Sequence, residues 1–264
     1  MRIIKVDYSN TNTYLIEGES GKLLFDTGWA GTFASFCHVM GELRVSVQDI
    51  DYIMISHFHP DHMGIAQEIA DLGPVLLVAD VQKDFLHQAD GIFKKEGKVA
   101  FKPIVDSAVR IYDIDDSRSI LKEIGINGQV VHTPGHSDDS ISLLLDDGSL
   151  LVGDLNPLYE LETHKRTQIG ESWEKLLAYD PKTVYYGHAK ETLVRVKEKK
   201  DVDTDMHTLV TQIIRLIDKG CDVDRICKKT GSASDFVQDV MRMYLTHQNV
   251  GVQGILDRIE IKGR

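Results

Sequence analysis

The sequence predicts an α+β layered sandwich followed by a helical tail, on three observations. Short apolar runs in the first half follow one another, separated by Gly- and Pro-containing turns, with helices interrupting them irregularly. Beyond residue 205 the apolar spacing changes to a helical period. The 264 residues are 42% apolar and 27% charged, ordinary values for a globular chain long enough to bury a sizeable core. A doubly wound parallel sheet needs strict strand–helix alternation and suits this order less well.

The elements follow in order. Arg2–Asp7, Thr13–Glu17 and Lys22–Asp26 read as strands, with Gly18 and Gly21 turning the chain between the last two. Tyr52–Ser56 is a short apolar run. Ile65, Ile69 and Leu72 recur at near-helical spacing, and Gly73-Pro74 ends that helix. Val75–Ala79, "VLLVA", reads as a buried strand. Val130–His132, Ile141–Leu145 and Leu150–Val152 are further strands, the last two joined by an Asp147-Gly148 hairpin. Glu171–Ala178 is expected to be helical and Thr183–Tyr186 a strand.

In the tail, Leu209, Ile213, Leu216 and Ile217 share a helical face that Gly220 would cap. Phe236, Val237, Val240, Met241, Tyr244 and Leu245 repeat the pattern, with Ser232 three before Asp235 as a start signal. Ile255–Ile261 alternates like a last strand. The charge run Arg195–Asp205 reads as a solvated helix end or linker.

Composition narrows the function. A formal net charge of −11 argues against a nucleic-acid surface. Residues 205–264 carry nine Lys/Arg against eight Asp/Glu, a net of +1, which adds no basic footprint. The three cysteines, Cys37, Cys221 and Cys227, form no C-x-x-C pair and suggest no disulfide framework. The N-terminal stretch lacks a signal-peptide core and no run approaches a membrane span, so the expectation is a cytoplasmic chain without membrane attachment.

The stretch Ser56–Gly64, "SHFHPDHMG", concentrates His57, His59, Asp61 and His62 after an apolar run. Period-two spacing would place His57 and His59 on one side of a strand end, and Pro60 would turn Asp61 and His62 into the same space. Imidazole suits zinc, iron and related ions, and carboxylate widens the choice. Three further donor-type residues stand at expected strand exits: His136 in "TPGHS", Asp154 in "VGD" and His188 in "YGH". Alone, Asp154 reads as a turn residue and His188 as a helix cap. Together with His57–His62 they point to a metal site on one edge of a sandwich.

The order of "FDTG", "SHFHPDHMG", "TPGHS", "VGD" and "YGH" over roughly residues 1–190 resembles the metallo-β-lactamase superfamily of hydrolases. The resemblance implies a four-layer αββα sandwich, with residues 1–200 as the catalytic domain and 205–264 as a mainly helical extension. It implies two divalent ions, with zinc the first choice and iron or manganese the alternatives. His57, His59 and His136 would hold one ion, Asp61, His62 and His188 the other, and Asp154 would bridge them. Asp26 in "FDTG" looks like the family's carboxylate that aims the ligating histidines.

The aspartate at 154 matches the hydroxyacylglutathione-hydrolase and lactonase branches, where true β-lactamases usually carry cysteine. Flavodiiron oxygen reductases carry an acidic residue where this chain has His59. The expected reaction is hydrolysis of a small-molecule ester, thioester or lactone by a metal-bridging hydroxide, with Asp61 orienting it or accepting its proton. A phosphodiester or phosphonate hydrolase, a mononuclear iron oxygenase of the persulfide-dioxygenase type, and a non-catalytic metal-bound sensor stay open. Tyr159 and His164, in the segment after Asp154, are candidates to contact substrate, with a solvated loop as the alternative. The tail could cap the site or form a homodimer surface, and a structural or substrate-cap role is preferred.

Overall fold

The computed structural model describes residues 1–97, 100–194, 203–246 and 255. By internal contacts the chain forms two units: Met1–Leu155 with Ser172–Val194, and Asn156–Glu171 with Arg195–Arg264.

The first unit holds two sheets. Strands β1 (Arg2–Val6), β2 (Thr13–Glu17), β3 (Lys22–Phe25), β4 (Tyr52–Met54), β5 (Val75–Ala79) and β6 (Val109–Tyr112) lie side by side in chain order. β1, β2 and β3 pair antiparallel, and β3 through β6 pair parallel. The second sheet contains β7 (Gly128–His132), β8 (Ile141–Leu145), β9 (Ser149–Leu151), β10 (Thr183–Tyr185) and β11 (Thr192–Leu193), ordered β11-β10-β9-β8-β7.

Alternation along each strand divides the apolar residues between two cores. Leu15, Leu24, Ile53, Leu76 and Val78 face one way and pack with Phe36, Met40, Ile69 and Phe93. Those four come from the helices Phe33–Glu42, Ala66–Ala70 and Asp90–Glu96. Tyr14, Ile16, Leu23, Phe25, Met54 and Leu77 face the other way and meet Val130, Ile141, Leu143, Leu145 and Leu151 between the sheets. Strands buried on both faces read as unbroken apolar runs, which is why "VLLVA" carries no polar alternation. Each such side chain contributes about 1.5–3 kcal/mol. The remaining layer is the helix Gln168–Leu177, whose Trp173 and Leu176 are buried and whose Ser172 hydroxyl donates to the Pro134 carbonyl at 2.7 Å. The αββα sandwich is thus present.

Several boundaries differ from the sequence expectation. Ile65–Leu72 is not one helix: Pro60–Met63 and Ala66–Ala70 are separate short helices, and Leu72 is exposed beyond them. The helices Phe33–Glu42 and Ser117–Glu123 and the strand β6 were not anticipated. Phe33–Glu42 contains Gly41 and begins without a side-chain cap, and β6 fully buries only Tyr112.

The second unit contains the helices Asp203–Asp218, Val223–Thr230 and Ser234–Thr246. Val210, Ile213, Leu216, Ile226, Val237, Val240, Met243 and Ile255 form its core. Gly220 takes φ +69° after the first of these helices, as its capping position requires. Ser232 does not cap the last helix: its hydroxyl has no hydrogen-bond partner among the described residues. The middle helix, "VDRICKKT", was missed because Ile226 is its only fully buried residue. Of the last-strand expectation at Ile255–Ile261 only Ile255 is described, and it is helical; the rest of it and most of the Arg195–Asp205 run lie outside the described residues. No helix among the described residues is long and apolar enough to cross a membrane.

Candidate metal centre

All seven expected donors belong to the first unit, on loops that leave β4, β7, β9 and β10. β4 ends at Met54, three residues before His57, so the strand pleat does not align His57 with His59. An extended loop does so instead, with His59 at φ −74°, ψ 151° and the two ring centroids 4.4 Å apart. Phe58 plugs the core between them. Pro60 then starts a single helical turn, where its fixed φ is favourable and its missing N–H costs nothing. That turn buries His62, whose carbonyl accepts from Thr27 N at 2.7 Å and Thr27 Oγ1 at 3.0 Å. The carbonyl of Asp61 is held by Thr11 Oγ1 at 2.7 Å.

His188 is aimed by backbone. Its Nδ1 meets the Asn10 carbonyl at 3.0 Å and its Nε2 meets Asp61 Oδ2 at 3.0 Å. Asn12 clamps the turn that carries it, donating from Nδ2 to the carbonyls of Tyr186 and Ala189, both at 2.8 Å. Gly187 is required there: a Cβ would lie 2.6 Å from Asp154 Oδ1 and 2.8 Å from His62 Cε1.

The donors form two clusters, His57–His59–His136 and Asp61–His62–Asp154–His188, each with its donor atoms within 4.8 Å of one another. Asp154 faces both. Its Oδ2 is 3.6 Å from His136 Nε2, and its Oδ1 is 3.2 Å from His62 Nε2 and 3.4 Å from His188 Nε2. His57 Nε2, His62 Nε2 and Asp154 Oδ1 are buried without a hydrogen-bond partner among the described residues. Burying a group such as His57 Nε2 unpaired costs about 1–3 kcal/mol. Imidazole nitrogens and carboxylate oxygens turned inward at these spacings fit a divalent cation.

Asp26 sits behind the ligands at φ +62° and is buried. Its Oδ1 accepts from Ser56 N at 2.7 Å, and its Oδ2 accepts from Ser56 Oγ at 2.9 Å and meets His62 Nδ1 at 2.9 Å. Ser56 Oγ also reaches His57 Nδ1 at 3.1 Å, so one carboxylate fixes a histidine of each cluster, the second through a hydroxyl. Ser56, Asn12 and Asp139 were not singled out from the sequence. Tyr159 and His164 lie in the second unit, on the short helices Leu158–Glu160 and Leu161–His164, and His164 belongs to neither donor cluster.

The two clusters differ in charge. Burial and the neighbouring imidazoles of His62, His59 and His136 push His57 well below the usual histidine range, and burial lowers His136. For His62, burial opposes the charge, but Asp26 and Asp154 overcome it and raise its pKa to about 10. The Asp61 hydrogen bond raises His188. Burial likewise works against ionised Asp61, yet His188 and His62 bring it down to about 2. In mild acid these shifts favour imidazolium beside carboxylate in the mixed cluster and neutral imidazole at His57 and His136.

A cation must displace those protons. Uptake of zinc at pH 6 should release protons, those of His62 and His188 among them, and affinity for the mixed cluster should rise with pH. Calorimetric titration in buffers of different ionisation enthalpy measures this. Proton-free uptake at pH 6 would contradict the assignment.

The family model described as metallo-beta-lactamase superfamily matches residues 6–188, more than half of the chain. The chain belongs to the metallo-β-lactamase superfamily. Among curated members, a beta-lactamase-like protein 2 homolog of Drosophila melanogaster is 28% identical over 189 residues, covering 67% of this chain and 58% of its own. An atrochrysone carboxyl ACP thioesterase of Aspergillus terreus is 24% identical over 156 residues, covering 57% and 40%. The chain thus spans about half the length of these curated relatives. Among solved structures, a metallo-beta-lactamase family protein of Thermus thermophilus covers 99% of this chain and 92% of its own, with TM-score 0.53 and 16% identity. TTHA1623 in a di-iron-bound form covers 73% and 94%, with TM-score 0.55 and 19% identity. At those identities the structural likeness establishes the superfamily fold.

Proposed function

We propose that this superfamily member is a metal-dependent hydrolase of a small ester, thioester or lactone, with two divalent ions held by its seven inward-facing donors. The observation that carries the reading is the position of Asp154, with one oxygen toward each donor cluster. His57, His59 and His136 would hold one ion, and Asp61, His62 and His188 the other. The thioesterase name of the Aspergillus terreus relative supports an acyl substrate.

A bound pair of divalent ions supplies an acidified nucleophilic water and Lewis-acid polarisation of the scissile carbonyl. The chain's own residues arrange the rest. The Asp61 side chain is a quarter exposed, and its Oδ2 is the carboxylate oxygen facing His188. Its pKa near 2 makes it a weak proton store but a constantly ionised hydrogen-bond acceptor. Its role is accordingly to orient the attacking water by accepting one of that water's O–H bonds. Asp26 holds His62 Nδ1, which leaves Nε2 free for the centre.

Metal analysis of the purified chain, paired with assays on thioester, lactone and phosphodiester panels, tests the proposal. Two ions per chain and turnover of a thioester or lactone is the expected result. One iron with oxygen consumption, or phosphodiester cleavage alone, would overturn it.

A further inference from the structure

We infer that Asp139 is the positioning residue of the three-histidine half of the centre, acting on it separately from the mixed Asp/His half. The inference rests on the two-ion reading above. Asp139 is fully buried. Its Oδ2 accepts the Phe58 N–H at 2.7 Å, in the peptide segment that separates His57 from His59. Its Oδ1 accepts from the hydroxyl of Ser137, the residue next to His136. One side chain therefore ties together the two loops that supply this cluster, loops 81 residues apart in sequence at the Phe58 contact.

Its main chain is fixed as well. The Asp139 carbonyl accepts from Gln82 Nε2 at 3.2 Å, and the same amide donates to the Ile55 carbonyl at 2.9 Å. Gln82 is fully buried too. The His57 loop and the His136 turn are thereby joined at two points, neither of which uses a ligand atom.

The side-chain partners of Asp139 are an amide and a hydroxyl, and among the described residues no Lys, Arg or His forms an ion pair with it. None of these contacts reaches Asp61, His62, Asp154 or His188. That half is held instead by Thr11, Asn10 and Asn12, while Asp26 reaches one histidine of each half, His62 directly and His57 through Ser56.

The test is a chelator-competition titration with zinc that resolves two binding constants, run on the full chain. Asp139→Ala should weaken one constant by about 10–100-fold, the usual effect of losing a group that orients ligands, and leave the other within about threefold. Asp139→Asn keeps an oxygen for the Phe58 N–H and should recover most of the loss. Ser137→Ala removes one arm of the clamp, should weaken the same constant by a smaller factor, and carries the test if Asp139→Ala does not fold.

Paired variants locate the effect. In a His188→Ala background the remaining constant should still fall when Asp139 is replaced, whereas in a His136→Ala background the remaining constant should not move. Both constants shifting together, or neither shifting, overturns the inference. A wild-type chain that binds no zinc overturns the two-ion reading as well. A wild-type chain that binds two, with variants that bind as it does, overturns this inference alone.

Discussion

Replacing Asp61 with alanine should lower kcat by about 10²–10⁴-fold while the sandwich stays folded. The two halves of that statement have separate causes. The backbone at Asp61 is held by Thr11 Oγ1 through its carbonyl, and that bond survives truncation of the side chain. His188 keeps its bond to the Asn10 carbonyl, so it stays near its native aim. The lost side-chain bond to His188 is partly exposed and contributes about 1 kcal/mol. What disappears is the only carboxylate of the mixed cluster besides Asp154, and with it the acceptor proposed to orient the attacking water. Asp61→Asn separates charge from shape: it keeps a hydrogen-bonding oxygen but not the ionised acceptor, and should be nearly as slow as alanine. Thermal melts, zinc content and kcat on the substrate class found active provide the check. A folded Asp61→Ala chain with wild-type turnover removes Asp61 from the mechanism.

The clustering of the seven candidate donors was legible from the sequence because metal chemistry restricts residue type and spacing together. His57, His59, Asp61 and His62 stand within six positions, and His136, Asp154 and His188 each follow an apolar run that proved to be a strand. The sandwich was legible for a related reason, since strands buried on both faces leave uninterrupted apolar runs. The supports were hidden. Asn12 and Asp139 are ordinary polar residues in polar stretches, and Asp139 stands beside Asp138, which is exposed. Only the fold distinguishes the aspartate that reaches Phe58 N from the one that faces water. His57 and His59 show the converse: the pairing was anticipated, but an extended loop braced by Phe58 and Asp139 produces it, not the pleat of β4.

Asp26 is where fold stability and the centre meet, and Asp26→Ala should destabilise the metal-free chain by about 3–5 kcal/mol. The side chain is 1% exposed, so its removal leaves Ser56 N, Ser56 Oγ and His62 Nδ1 without their buried acceptor. In the wild-type chain His62 has a folded pKa of about 10 against an unfolded value of 6.5, with burial opposing the charge and Asp26 the largest contribution that favours it. A group raised in this way stabilises the fold fully below pH 6.5 and loses that contribution as the pH rises toward 10. The gap in stability between wild type and Asp26→Ala, both metal-free, should accordingly be widest in mild acid and shrink in alkali. Denaturant midpoints measured in chelator from pH 5.5 to 9.5 would display it. The same substitution frees the His62 ring to rotate and loosens Ser56 beside His57, so zinc affinity should fall by about 10–100-fold. If the gap were constant across that pH range, the His62–Asp26 pair would not be charged in the folded chain, and the electrostatic account of the mixed cluster would fail with it.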